Sequence, residues 1–123
     1  MTLIDTNVII RFLLNDIPEQ SQIAKEVIED KAWTTSNAIQ EACYTLTGYY
    51  QLSHHDTATQ LLQLLKVVYV EDETTVTAAL ELFDKTSFDY LDCVLITRAL
   101  HDNVEVFTFD KKLAKYIQNH RED

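Results

Sequence analysis

The chain has one glycine and one proline. All-β sandwiches and barrels turn often and tightly, and their turns draw on both residues. That architecture is disfavoured, and helices joined by short polar connections are favoured. Cysteine is also sparse. Cys43 and Cys93 stand far apart and in no CxxC or zinc-ligand pattern, so they read as reduced, buried thiols in a reducing compartment. Positive charge is scarce: 10 Lys+Arg face 20 Asp+Glu, for a formal charge of −10. Such a chain has no net cationic field for a polyanion. A nucleic-acid partner would require local basic residues, a metal ion, or both. No apolar run approaches the roughly 20 residues that span a bilayer. The start Met1-Thr2-Leu3-Ile4-Asp5 lacks the basic opening and apolar run of a signal peptide. The expectation is a soluble, cytoplasmic protein with no membrane partner.

What is present fits one compact domain over residues 1–123. Hydrophobic residues make up 46% and charged residues 24% of the 123 positions, which is ordinary globular usage and enough for a core without disulfides. No repeat, linker or biased tract divides the chain. Leu3-Ile4 reads as a short buried strand and Val8 to Leu14 as a helix. Pro18 opens a second helix with Ile23, Ala24, Val27 and Ile28 as its apolar stripe. Ala32 to Thr35 is a second strand. Ser36 is the expected N-cap of a helix carrying Ile39, Cys43, Leu46 and Tyr50 on one face. Ser53-His54-His55-Asp56 resembles a capping box before a leucine-rich helix. Val67 to Val70 is the clearest β-branched strand. Two further helices follow, the second ending near Asn103. Val106 to Phe109 reads as a last strand, and Leu113 to Ile117 as part of a final helix. Strands separated by helices imply an α/β domain with a mostly parallel sheet.

In such sheets ligands sit beyond the C-terminal ends of the strands. Asp5 follows the first strand and Asp110 follows Phe109. Glu41 lies in the second turn of the helix after the second strand, facing away from Cys43. Asp89 and Asp92 are three apart and share one side of a helix. Asp92 stands in the otherwise apolar run Leu91 to Ile96, which makes a charge there less expected. Carboxylates gathered at one edge repel each other, and without a cation some would take up protons. All-oxygen ligands suit Mg²⁺ or Mn²⁺ and not zinc. Such ions deliver hydroxide and stabilise a leaving oxygen, which is the chemistry of phosphodiester hydrolysis.

Four segments match a family in order along almost the whole chain: Leu-Ile-Asp-Thr-Asn (3–7), Ser36 to Leu46 with Glu41, Ser-Phe-Asp-Tyr-Leu-Asp-Cys-Val-Leu-Ile (87–96), and Phe-Thr-Phe-Asp-Lys-Lys-Leu (107–113). By them the chain resembles the PIN-domain ribonucleases, and most closely the VapC-like toxins of bacterial toxin–antitoxin pairs. The resemblance implies a three-layer α/β/α domain with a central, mostly parallel sheet of four or five strands. It implies Asp5, Glu41, Asp92 and Asp110 as catalytic acids: Asp5, Asp92 and Asp110 bind Mg²⁺ or Mn²⁺, and Glu41 binds or aligns a second ion or the attacking water. Asn7 and Thr108 would orient carboxylates or water. Thr6 would supply its backbone, with its hydroxyl as a further contribution. Asp89 stays open between a fifth acid, a water-mediated ligand and a helix cap. The implied substrate is structured cellular RNA, cut at a single-stranded loop. The implied partners are a cognate antitoxin, which carries Arg or Lys into the acidic cluster, and a second copy in a homodimer.

Plainer readings stand beside these. Asp5, Asp89 and Asp110 each suit an N-cap, and Glu41 alone suits a solvated helix face. His54 and His55 read as exposed surface residues. Trp33, Tyr49 and Tyr50 read as core or dimer contacts more than stacking platforms. Lys111, Lys112, Lys115 and Arg121 form a local basic stretch, and Arg11 and Lys85 are further phosphate candidates. Two other functions compete. A phosphatase of the haloacid-dehalogenase pattern would want a second Asp at position 7, which is Asn, and a receiver-type phospho-acceptor would want an Asp after the third strand, where Glu71-Asp72 is a poor match. A non-catalytic module would use the acidic pocket only to bind a basic partner.

Overall fold

The computed structural model describes residues 1–121, so the last two positions of the expected domain lie outside it. Three short strands form one sheet in the order β1-β2-β3: β1 (Thr2–Leu3), β2 (Ala32–Thr34) and β3 (Val68–Val70). Both pairings are parallel, with Thr2 opposite Ala32 and Ala32 opposite Val68. Helices α1 (Thr6–Leu14) and α2 (Pro18–Glu29) link β1 to β2. Helix α3 (Ser36–Tyr44), a π-helical turn (Thr45–Tyr49) and α4 (His54–Leu64) link β2 to β3. After β3 come α5 (Glu73–Lys85), α6 (Tyr90–His101) and α7 (Lys111–His120). Parallel crossovers need helices to cover the sheet faces, and the result is a three-layer α/β/α fold. Ile9, Ile39, Leu61, Leu80 and Ile96 are fully buried in one core drawn from five of the helices. Among the described residues, no helix is long and apolar enough to cross a membrane.

The segment expected as the last strand is not one. Val106–Phe109, two residues past Val104, has strand-forming side chains but no ladder. Its ends are tied locally instead. Val104 N–H donates to the Arg98 carbonyl, Arg121 donates to the Val104 carbonyl, and Asp110 N–H donates to Thr108 Oγ1. Strand preference is realised only against a partner, and β1 pairs with β2 alone. The sheet thus has three strands where four or five were expected. The cap of α3 also shifts by one: Thr35, not Ser36, accepts from Ala38 N–H at 3.0 Å. Ser53 caps α4 as expected, accepting from Asp56 N–H. Both cysteines are buried and free, and burial pushes the Cys93 thiol up to about 11.

The scarcity of glycine has a backbone consequence. The helix ends and connections still require left-handed residues, and among the described positions Asn15, Lys31, Gln51, Asp72 and Asn103 take them. Asn and Asp tolerate that region through local hydrogen bonds, whereas Lys and Gln bear the full steric cost. Lys31, at φ 74°, sits between the end of α2 and β2. Replacing Lys31 by Gly is expected to raise stability by up to ~1 kcal/mol, the relief being partly offset by the freer unfolded chain. Chemical denaturation of the variant checks this, and an unchanged midpoint would show that the strain is absent.

His54 is not the exposed residue expected. It stacks on Phe83 at 3.8 Å between centroids and points Nδ1 at the Phe83 carbonyl. His55 is exposed and joins α4 to α5 through Asp84 Oδ1 at 2.6 Å. The hydrogen bond and charge of Asp84 raise the His55 pKa. A raised folded-state pKa contributes stability fully present below the ordinary imidazole value, about 6.5, and lost as pH rises through the raised one. Asp84→Asn should therefore destabilise slightly at acid pH and be neutral at alkaline pH, as denaturation midpoints against pH would read.

Candidate active site

The first two strands deliver their following residues to one cavity of ≈ 460 Å³, whose lining includes Asp5, Thr6, Thr35, Asn37 and Glu41. Asp5 follows β1 after the buried Ile4, whose N–H is tied to the Trp33 carbonyl. Thr34 is fully buried and donates its hydroxyl to the Ile4 carbonyl at 2.8 Å. That bond fixes the chain where it leaves β1. Thr6 then bridges to the next helix: its hydroxyl donates to Glu41 Oε2 at 3.0 Å. Asp5 and Glu41 thus come to one cavity from positions remote in sequence.

Asp89, Asp92 and Asp110 form a second group. Asp89 precedes α6 and Asp92 lies in its first turn. Asp110 precedes α7, which packs on α6. Partial burial of Asp92 raises its pKa first, and the charges of Asp89 and Asp110 raise it further. Helix α3 adjoins this second group. Tyr44 lies one turn beyond Glu41, and its phenol pKa is raised by burial and then by the charge of Asp89, with a smaller contribution from Asp92. Helix periodicity from Glu41 would have found Tyr44, which the sequence reading passed over.

The capping readings of three acids are realised. Asp5 Oδ1 accepts from Val8 N–H at 3.1 Å, and Asp89 Oδ1 accepts from Asp92 N–H at 2.8 Å. Asp110 Oδ1 accepts from Lys112 and Leu113 N–H at 3.0 and 3.2 Å. Capping does not exclude ligation, because each carboxylate commits one oxygen and these bonds leave Oδ2 unused. Thr108 Oγ1 accepts from Asp110 N–H and so positions that residue's backbone. Asn7 faces elsewhere, lining the groove between α1 and α2 with Arg11, Ile23 and Val27. Arg11 is no free phosphate ligand: it chelates Asp16 through both oxygens and donates to the Tyr50 hydroxyl at 2.7 Å. Arg121 is likewise spent, on the Ala99 and Val104 carbonyls. Tyr49 is exposed, while Tyr50 is half-buried beside it.

The donor set fits a hard divalent cation. All five acids offer oxygen, and nitrogen and sulfur donors are absent from the group. Among the described residues, no three His, Cys, Asp or Glu side chains stand close enough to enclose an ion. Mg²⁺ is usually taken by one or two carboxylates with several waters and substrate phosphates, so such an ion calls for no closed protein cage.

Carboxylates set beside the ends of a parallel sheet, with open oxygens, define a class of α/β domain that binds cations and phosphates there. The comparison with known families is specific. A PIN domain model matches residues 2–118, and the chain belongs to that family. PIN domains are generally nucleases and typically use divalent metal ions. Neither a curated protein nor a solved structure gives a significant match to the chain.

The helix cap at Asp89 can be isolated by substitution. Asn caps a helix as well as Asp does, whereas Ala does not. Asp89→Ala is expected to cost ~0.5–2 kcal/mol, and Asp89→Asn much less. Thermal denaturation of the pair checks this; equal losses would mean that the cap contributes nothing.

Proposed function

We propose that the chain is a Mg²⁺- or Mn²⁺-dependent endoribonuclease acting as the toxin of a toxin–antitoxin pair. The observation that carries the reading is the cluster Asp89–Asp92–Asp110. Partial burial raises the pKa of Asp92 first, and the charges of Asp89 and Asp110 beside it raise it further. A cation is the chemical remedy for such a group. In this reading Asp5, Asp92 and Asp110 would hold the ion, Asp5 and Asp110 through the carboxylate oxygen that caps no helix. The ion supplies a lowered water pKa and charge neutralisation on the phosphate. Glu41, held by the Thr6 hydroxyl, orients the attacking water or a second ion. The helix-capping bonds keep Asp5 and Asp110 in one orientation, so little reorganisation of these two is required on substrate arrival.

The partners follow from charge. With 20 acids against 10 bases, the chain suits a basic inhibitor that inserts Arg or Lys among these carboxylates. A cognate antitoxin is that partner in our reading, and a homodimer in the cytoplasm is the working assembly. The substrate is cellular RNA at exposed single-stranded loops. A non-catalytic acidic module is the second reading, favoured by the absence of three converging ligands among the described residues.

Purified protein incubated with total RNA and Mg²⁺ or Mn²⁺ is expected to give discrete fragments that EDTA abolishes. Asp5→Asn keeps the α1 cap and removes the charge, so cleavage should fall roughly 100-fold or more while folding is retained, since a metal supplies several kcal/mol of barrier lowering. Equal fragmentation by both proteins would mean contamination. Absence of cleavage by antitoxin-free wild type would favour the binding module.

A further inference from the structure

Two large aromatic side chains lie open to solvent directly before Asp110. Phe107 is 82% exposed and Phe109 90% exposed. Their rings meet edge-to-face at 5.1 Å between centroids, and neither joins the core. Exposed leucines need no explanation, but two adjacent, almost wholly exposed phenylalanines do. Their segment is held at both ends by the Val104, Arg121 and Asp110 bonds described above. The rings are thus presented from a tethered stretch of backbone. Helix α7 begins two residues after Phe109 with the sequence KKLAKYIQNH, which contains no acid. Lys111 and Lys115 are exposed, one turn apart, and in no ion pair among the described residues. Lys112 is partly engaged, donating to Ser87 Oγ and lying over the Phe88 ring.

We propose that Phe107 and Phe109 form a stacking platform for unpaired bases of a single-stranded RNA. The occupant follows from the surroundings. In a chain of net charge −10, this is a place where positive charge without acidic neighbours on its helix adjoins exposed aromatic rings. Polyanion complementarity beside π-faces is the arrangement by which single strands are held without reading their sequence. A duplex keeps its bases stacked on one another and offers none to the rings. The platform is continuous with the candidate active site through Asp110, so a base seated on it would place its phosphates near the carboxylates. The inference deepens the nuclease reading and rests on it for the substrate; the binding test separates the two.

Anisotropy of a short, fluorescently labelled single-stranded RNA, in EDTA so that nothing is cut, reads binding by the whole chain. Wild type is expected to bind, and the duplex of the same sequence to bind more weakly. Phe107→Ala and Phe109→Ala should each weaken binding about tenfold or more, the loss typical of one stacked base. Phe107→Tyr and Phe109→Tyr should retain it, and Tyr69→Ala, exposed on β3, should be neutral. An abasic oligonucleotide should bind wild type and the alanine variants alike, a result that a merely structural role for the rings would not give. Lys111→Gln should lower affinity and flatten its salt dependence. Wild type that binds no single strand, or alanine variants that bind as wild type does, would overturn the platform. So would sedimentation showing that the alanine variants split a dimer while RNA binding stays unchanged, which would assign the rings to a contact between copies. Cleavage intact in the alanine variants with unchanged binding sinks the platform and leaves the nuclease standing. Ring-dependent binding with no cleavage under any metal does the reverse.

Discussion

The site depends on one recurrent interaction: an aspartate at the start of a helix spends one carboxylate oxygen on the helix amides. Asp5, Asp89 and Asp110 all do so. The first amides of a helix have no partner within it, and an anion there is stabilised by the aligned peptide dipoles. The same bond that starts α1, α6 and α7 therefore fixes the direction of a carboxylate and offsets part of the repulsion among the acids. Folding and site preorganisation share these hydrogen bonds. This is why the capping and functional readings of those residues, which looked like rivals, are compatible.

The second constraint is the junction at β1 and β2. The buried Thr34 hydroxyl on the Ile4 carbonyl and the Thr6 hydroxyl on Glu41 tie together two parts of the chain about one crossover apart. Neither bond is strong by itself, but a buried hydroxyl without a partner would be costly. The pair of threonines thereby sets where Asp5 and Glu41 stand. Asp92 and Asp110 are set by the separate packing of α6 on α3 and of α7 on α6. The acids consequently form two groups, the second of which acts on Tyr44 of α3, and among the described residues they form no closed cage.

Helix positions were legible in the sequence because their signals are local. Pro18 at the first turn of α2 and Ser53 before α4 act within a few residues of themselves. So does Asn103, which turns left-handed just past α6. The candidate acids were legible for a similar reason: they occupy helix starts or, for Glu41, the polar side of an amphipathic helix. Val106–Phe109 does not form the expected strand because a strand is not a local object. Its side chains favour extension, yet without a hydrogen-bonded neighbour it remains a tethered, exposed segment. Arg11 looked available for phosphate because nothing in its own helix reveals Tyr50 across the fold.

The sequence by itself determined the α/β class and the parallel connectivity, since periodicity and caps act over a few residues at a time. Tertiary structure decided the rest. It set how many strands pair, and which acids feel one another's charge. It also withdrew Asn7 and Arg11 from the site and left Phe107 and Phe109 in solvent. Those outcomes depend on distances between parts of the chain remote in sequence, and such distances are fixed only when the core packs.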